Sequence, residues 1–135
     1  MSEVCYTVLY NSAEILFFIK RGINLTIINL EAGMPTVETA RIRLDQALRT
    51  AKLQREKCVK IIHGYGSSGK GGAIKRDVLA ELARRRSGKQ IKAFVPGEKF
   101  TPFDASARQI LNACPELGRD KDYSRGNYGI TIVLL

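Results

Sequence analysis

The sequence predicts an α/β fold, a two-layer sandwich in which two main helices cover one face of a mixed four-stranded sheet. Two observations support this prediction. Short apolar segments rich in β-branched residues alternate with longer segments in which apolar residues recur at helical spacing. The segments follow the order β-α-β-α-β-β, and a helix that connects two strands of one sheet makes those strands parallel. A length of 135 residues suits one ordinary domain.

The first strand–helix–strand unit lies in the first half of the chain. NLTIINL (24–30) is predicted to be a strand. TVETARIRLDQALRTAKLQ (36–54) repeats apolar residues at helical spacing with charged residues between them, and Thr36 is a suitable N-cap. This segment is therefore predicted to be an amphipathic helix. CVKII (58–62) is short, apolar and β-branched, which predicts a buried strand.

The second half of the chain supplies the remaining elements. AIKRDVLAELARRR (73–86) predicts the second helix, with arginines in the last turn where they suit the helix dipole. IKAFV (91–95) predicts a strand that a Pro-Gly pair ends. Asp104 is predicted to cap a short helix over 105–113. YGITIVLL (128–135) is apolar almost throughout, which predicts a closing strand that is central or well covered.

The N-terminal residues have the least clear pattern of predicted secondary structure. Residues 1–22 are predicted to be an extension or an extra strand beside a domain that spans 23–135. The longest apolar runs, ILFFI and IVLL, are too short to span a membrane. The N-terminus has no Lys or Arg before Lys20, so it is a poor signal peptide. We therefore expect a cytoplasmic protein with no membrane partner.

The three cysteines are Cys5, Cys58 and Cys114. They are far apart and form no CxxC pair, which argues against a zinc site or a disulfide scaffold. We expect small buried side chains in a reducing compartment, and no motif predicts a metal or a cofactor.

The positive charge is concentrated in one third of the chain. The formal net charge is +9. Residues 63–99 contain nine Lys or Arg and three acids, a local balance of 9 − 3 = +6. Such a patch favours a polyanionic partner, although a solvated basic face explains the charge equally well when it is considered alone.

A glycine-rich loop, HGYGSSGKGG (63–72), opens this basic region. The Walker A pattern G-x-x-x-x-G-K-[ST] is matched by Gly64, Gly69 and Lys70, but Gly71 replaces the hydroxyl residue that holds magnesium. No apolar strand that ends in Asp supplies the second carboxylate of an ATPase. A purely structural turn is a further interpretation, but five glycines within nine residues are more than a tight turn requires. Ordering so many glycines is also unfavourable, because each ordered glycine loses much conformational entropy.

A phosphate site is the interpretation that the loop favours most. Backbone amides of 66–72 and the start of the next helix would point at an anion, with Lys70, Lys75 and Arg76 beside them. Ligands of α/β sheets lie beyond the carboxyl ends of the parallel strands. Glu31 and His63 follow the two strands that the first helix connects, so we expect both at the same edge of the sheet.

Three segments resemble the small MutS-related domain, the Smr domain. HGYGSSGKGGAIKRDV (63–78) is similar to its His-Gly-x-Gly-x-Gly motif, which also follows a strand and opens the second helix. IINLEAGMPTVETARIRLDQAL (27–48) resembles its first block, and NYGITIVLL (127–135) resembles its closing strand. The resemblance covers roughly residues 24–135. It implies a β-α-β-α-β-β sandwich, binding of DNA or RNA, endonuclease activity in several members, and for some members a link to ribosomes.

The sequence departs from the family pattern in the first motif. The Asp-x-His of the family falls on Asn29, Leu30 and Glu31, so an amide replaces the aspartate and a carboxylate replaces the histidine. Residues 96–126 also form a longer connection than compact members have. The resemblance therefore implies nucleic-acid binding more directly than it implies cleavage.

The sequence yields a candidate site and leaves several functions open. If the domain is an endonuclease that cleaves RNA or nicks DNA, the candidate catalytic residues are Glu31 as the base and the His63 imidazolium as the acid. This pair suits RNA, whose 2′-hydroxyl is a built-in nucleophile, whereas DNA hydrolysis needs an activated water that a metal usually holds. Each residue has a plainer interpretation, since His63 could cap the loop and Glu31 could be a solvated acid. A binding-only or ribosome-docking module, or a P-loop-like nucleotide-binding protein, is the alternative. The predicted nucleic-acid contacts are Gly64, Tyr65, Gly66, Ser67, Ser68, Gly69, Lys70, Gly71, Lys75, Arg76 and Arg125.

Overall fold

Strands and helices alternate along most of the chain. The structure, a computed structural model, describes residues 5–10, 16–22 and 25–135. The elements are β1 (Cys5–Tyr10), β2 (Leu16–Gly22), β3 (Leu25–Asn29), α1 (Val37–Leu53), β4 (Cys58–Ile62), α2 (Ala73–Ser87), β5 (Ala93–Pro96), α3 (Ala105–Ala113) and β6 (Ile130–Leu134). Two short 3₁₀ turns, Gly97–Lys99 and Pro115–Arg119, lie in the connection between β5 and β6.

The described strands form one mixed sheet in the order β1-β2-β3-β4-β6-β5. β3 and β4 are parallel, with Asn29 opposite Ile62, and the other neighbours are antiparallel. The four predicted strands are β3, β4, β5 and β6, and their mixed arrangement is confirmed. β1 and β2 extend the sheet beyond β3, although the domain boundary predicted at residue 23 stays a prediction.

The predicted helical layer is α1 and α2 on one face of the sheet. The side chain of Thr36 caps α1 by accepting a hydrogen bond from the amide of Thr39 at 3.1 Å. Apolar residues of both helices pack on inward residues of β3, β4 and β6 in a single cluster. Apart from the adjacent pair Ala47 and Leu48, the α1 residues of that cluster recur every three or four positions, which is why the helical spacing in the sequence predicts this face. The buried α1 residues of the cluster are Ala40, Leu44, Ala47, Leu48 and Ala51.

The third helix lies on the opposite face of the sheet. The side chain of Asp104 accepts a hydrogen bond from the amide of Ala107 at 2.9 Å, as the sequence predicts for the cap of this helix. Ala107 and Ile110 then pack with Phe100 on β5 and β6. The long connection between β5 and β6 thus adds a second helical layer to the predicted sandwich. All five residues of β6 are buried because the strand is covered on both faces.

A buried ion cluster, Lys60 with Asp120 and Asp122, fixes the end of this connection to the sheet. Lys60 of β4 is 3% exposed, and its Nζ donates to both carboxylates at 2.6 Å. Asn127 donates to the second carboxyl oxygen of Asp122 at 2.8 Å. Burial alone would raise the pKa of Asp122, but the hydrogen bonds from Asn127 and Lys60 outweigh it and hold the pKa below its usual value.

In the described part of the chain, no helix combines the length and the apolar character that crossing a bilayer requires.

Candidate nucleic-acid interface

The glycine loop, residues 63–72, connects the end of β4 to the start of α2. The amides of His63 and Gly64 both donate to the carbonyl of Gly129, at 3.0 and 3.1 Å, which fixes the loop to the entry of β6. Gly66 has φ +66°, and a Cβ there would lie 2.5 Å from the amide nitrogen of Gly72. Only a glycine therefore lets the two ends of the loop approach this closely.

Several loop amides hold the loop together and are not free for an anion. The amides of Gly69 and Gly71 donate to loop carbonyls, and the amide of Lys70 donates to the Ser68 hydroxyl at 3.3 Å. Ser68 donates in turn to the carbonyl of Gly71, so it acts as a turn former. Among the predicted anion-binding amides of 66–72, those of Gly66, Ser67, Ser68 and Gly72 have no hydrogen-bond acceptor within the described residues, and the amides at the start of α2 follow them.

The N-terminus of α2 has no side-chain cap and no acid in its first turn. The side chains of Thr36 and Asp104 cap the other two α-helices. The first-turn amides of α2 open into a groove of about 390 Å³. Because the first amides of a helix lack internal partners and lie at the positive end of its dipole, this groove is an electrostatically favourable place for an anion. It is lined by Pro35, Thr36, Val37, His63, Gly66, Ser67, Gly72, Ala73 and Ile74.

The imidazole of His63 is buried at the base of this groove. The side chain is 4% exposed, with Nδ1 at 3.2 Å from the carbonyl of Gly64 and Nε2 at 2.9 Å from the Thr131 hydroxyl. Because a carbonyl only accepts, Nδ1 bears the hydrogen and Nε2 accepts from Thr131. Burial lowers the pKa of His63, and the nearby charge of Lys75 lowers it further. The ring is therefore neutral at pH 7, and both of its nitrogens have partners.

Glu31 lies at the same edge of the sheet as His63 but on the other side of the glycine loop. Its carboxylate lies against Gly64, where a Cβ would collide with it, and lines a second cavity of about 220 Å³. Side chains alternate along a strand, and Leu30 belongs to the core under α1 and α2, so Glu31 faces away from it. His63 faces the helical side because Ile62 packs in the opposite core. The structure thus places Glu31 and His63 at one edge without bringing their side chains together.

Lys75 is a structural cation. It is 5% exposed, and its Nζ donates to the carbonyls of Lys70 and Tyr128 and to both carboxyl oxygens of Glu98, at 2.7 to 3.1 Å. These contacts join the loop, the turn after β5 and the entry of β6. The prediction that Lys75 contacts a phosphate does not fit this placement, because its ammonium is buried and fully engaged.

Three other predicted cations are exposed. Lys70 lies in the loop, Arg76 in the first turns of α2, and Arg125 in the turn before β6. Within the residues that the structure describes, no hydrogen bond or ion pair engages their side chains. Lys70 and Arg76 flank the α2 N-terminus by their position in the chain, whereas no hydrogen bond or ion pair in the described part of the chain links the side chain of Arg125 to the loop.

Some residues of the site are not predictable from the sequence. Thr131, which holds Nε2 of His63, lies 68 residues further along the chain. Arg43 is buried in α1, where burial lowers its pKa, and its guanidinium donates to the carbonyl of Ala32 at 2.6 Å. Arg43 thus shapes the segment that contains Glu31. Neither residue forms part of a local motif, since its role depends on a partner from another element.

The fold and the loop define a small α/β domain in which an uncapped helix start follows a glycine-rich loop. The family model of the Smr domain matches residues 32–101, more than half of the chain, and the chain belongs to this family. Smr domains generally bind nucleic acids, and some members are nicking endonucleases. No curated protein matches the chain. A similar solved structure is the Smr domain of Thermus thermophilus MutS2, with 20% identity and a TM-score of 0.49 over 84% of this chain and 98% of that one.

Proposed function

We propose that this Smr domain binds DNA or RNA by holding a backbone phosphate at the N-terminus of α2. The observation that supports the proposal most directly is the uncapped start of α2, which opens into the groove beside the glycine loop. Exposed Lys70 and Arg76 provide the charge around it. Hydrogen bonds from backbone amides to a phosphate position the nucleic acid without distinguishing its base sequence.

The ion pairs of the acidic residues in the basic region, residues 63–99, favour a phosphate site at the start of α2. Three acids lie in the basic region, and all three are engaged in ion pairs. Asp77 pairs with Arg41, Glu81 pairs with Arg84 and Arg85, and Glu98 pairs with Lys75. No carboxylate of the described residues therefore neutralises Lys70 or Arg76, and their charge remains available to a polyanion.

The same geometry favours binding without cleavage by His63 and Glu31. An acid–base pair must reach the two oxygens of one phosphate, but Glu31 and His63 line cavities on different sides of the loop. The lowered pKa of His63 also removes the imidazolium that would protonate a leaving oxygen. In the proposed role, neutral His63 supports the loop through Gly64 and Thr131.

Salt-dependent binding tests the proposal. Fluorescence anisotropy with labelled 12-nucleotide RNA, 12-nucleotide DNA and a DNA duplex gives log Kd against log salt. Removing two phosphate contacts with Lys70→Ala/Arg76→Ala should reduce the slope by about 1.4 on single strands and about 1.8 on the duplex. The matched control is Lys57→Ala/Lys92→Ala, which removes two exposed lysines at the opposite edge of the sheet. Equal losses in both double variants would show a general charge effect and contradict the proposed site.

Cleavage and nucleotide binding are tested in parallel. We expect no cutting of labelled RNA and no nicking of a supercoiled plasmid, with magnesium or with EDTA. Cutting that His63→Ala or Glu31→Gln abolishes would instead establish the endonuclease alternative. Micromolar binding of ATP that competes with the oligonucleotides would favour the P-loop-like alternative.

A further inference from the structure

The cavity beside Glu31 is not used by the proposed phosphate site. It measures about 220 Å³, and its floor is the apolar surface of Ile27, Ile62 and Ile130. The side chains around this floor include Tyr65, Glu31 and Lys121. An aromatic ring, an acceptor and a cation thus surround an apolar floor, a combination that suits a flat heterocycle with polar edges.

Tyr65 provides an aromatic surface at the mouth of this cavity. Its side chain is 52% exposed, although it lies in an otherwise well-anchored loop. One side of the ring lies against Gly129, where a Cβ would be only 3.3 Å from Cε2 and Cζ. The absence of a side chain at Gly129 therefore lets the ring rest on the entry of β6, with the remaining ring surface open to solvent. An exposed aromatic ring beside a basic loop is a stacking surface for a base.

Two of the polar side chains that line the cavity, those of Glu31 and Lys121, have no hydrogen-bond partner within the described residues. Within the described residues, the carboxylate of Glu31 has no hydrogen-bond donor, and a carboxylate can only accept. Lys121 is exposed between Asp120 and Asp122, whose carboxylates are bound to Lys60. The Lys60 ion cluster therefore fixes the backbone on both sides of Lys121 while leaving its ammonium free.

The two cavities lie on opposite sides of a single stretch of loop. Tyr65 lines the cavity and Gly66 lines the groove at α2. The α-carbons of consecutive residues are about 3.8 Å apart. A nucleotide whose phosphate is held at α2 can thus place its own base, or that of its neighbour, against Tyr65.

We infer that this cavity is a base subsite, in which Tyr65 stacks on an unpaired base and Glu31 selects guanine. The inference rests on the proposed nucleic-acid binding. Guanine presents two adjacent donors, N1–H and the N2 amino group, that one carboxylate accepts together. Adenine, cytosine and uracil each place an acceptor next to a donor on that edge. The base must leave a duplex to enter, so the subsite predicts a preference for single strands.

Short single-stranded RNAs test the subsite. The probes are fluorescein-labelled oligo-U 12-mers with U, G, A or C at the sixth position. We expect the wild type to bind the G probe about 5-fold or more tightly than the others, which corresponds to about 1 kcal/mol. Glu31→Gln should abolish this preference while binding to the U probe is kept, because glutamine replaces one acceptor oxygen with a donor.

Tyr65 is tested separately with a conservative control. Tyr65→Ala should weaken binding to every probe by about 5-fold or more, and Tyr65→Phe should retain wild-type affinity because the stacking surface remains. Equal thermal midpoints of the variants show that the fold is unchanged. If Lys70→Ala/Arg76→Ala weakens binding while Tyr65→Ala and Glu31→Gln leave affinity and base preference unchanged, the subsite is refuted and the proposed function stands. If no probe binds the wild type, the proposed function fails and the subsite fails with it.

Discussion

Replacing Lys60 with methionine tests how strongly the Lys60 ion cluster stabilises the fold. Lys60 is 3% exposed in the middle of β4, and both of its carboxylate partners lie at 2.6 Å. Methionine has a similar length and fits the apolar surroundings of the lysine stem. The variant therefore removes the charge and leaves Asp120 and Asp122 without their cation.

The expected loss of stability follows from the burial of the two carboxylates. Removing one partner of a buried ion pair costs about 3–5 kcal/mol, because the remaining charge is uncompensated. The lower end, about 3 kcal/mol, is expected here, since Asp122 keeps the hydrogen bond from Asn127 and Asp120 is reached by water. At about 4 °C per kcal/mol for a domain of this size, the thermal midpoint should fall by roughly 12 °C.

Urea unfolding followed by circular dichroism measures this loss as a function of pH. The folded pKa of Asp122 is below its unfolded value, so its contribution is present above pH 4 and is lost as pH falls through the folded pKa. Without Lys60 the Asp122 carboxylate can take up a proton at higher pH than in the wild type, which relieves the uncompensated charge. The difference between wild type and Lys60→Met should therefore shrink as the pH falls toward the ordinary pKa of an aspartate, about 3.9.

The control neutralises the whole cluster in Lys60→Met/Asp120→Asn/Asp122→Asn. This triple variant should recover most of the stability at pH 7, because no buried charge is left unpaired. The reasoning is refuted if Lys60→Met unfolds within about 0.5 kcal/mol of wild type. It is also refuted if the triple variant is no more stable than the single one.

Three further predictions concern the loop, the histidine and a helix cap. Gly66→Ala should destabilise the fold by more than about 1–2 kcal/mol in thermal unfolding, because the new Cβ would collide with the Gly72 backbone. Gly69→Ala is the control, since Gly69 also has a positive φ but no atom lies within 4 Å of an added Cβ. A loss as large in Gly69→Ala as in Gly66→Ala would argue against the collision as the cause. The free energy of unfolding in urea should decline as pH falls below about 6.5, because His63 takes up a proton at higher pH in the unfolded chain than in the folded state. His63→Gln should abolish this decline. An equal decline in the variant would mean that other groups cause it. Asp104→Ala should cost about 1 kcal/mol in thermal unfolding and Asp104→Ser much less, whereas equal losses would mean that the cap contributes little.

The periodicity of the sequence predicts the elements but not which side of the sheet each residue faces. Helical spacing identifies the buried face of α1, and Asp104 marks the start of α3. Apart from Lys60, the β4 segment CVKII is apolar on both faces, so its alternation does not reveal that His63 faces the helices. The expectation that Glu31 and His63 share an edge follows from the parallel arrangement of β3 and β4. The sequence does not show that their side chains face opposite sides of the sheet, because that depends on an alternation that the apolar residues of β4 conceal.

The sequence could not predict, for a different reason, which of the basic side chains are buried and which are exposed. Lys75 and Arg76 are adjacent on a helix and look alike in the sequence, yet Lys75 is buried and Arg76 is exposed. Lys75 is held by Glu98, which is 23 residues away, and by the carbonyl of Tyr128. Local spacing contains no information about such distant partners, so a basic run predicts total charge better than it predicts which cation meets a ligand.

The position of β6 between β4 and β5 has a consequence for the order of folding. β6 follows both strands in the chain, and within the described sheet β5 pairs with β6 alone. Contacts among β3, α1, β4 and α2 are closer in sequence and can form early, whereas β5 must wait for residues 130–134. The carbonyl of Gly129, which anchors the glycine loop, arrives in the same late step. A nascent chain would thus complete the proposed nucleic-acid site only when the sheet closes, and an incompletely folded domain would lack the anchored loop that the proposal requires.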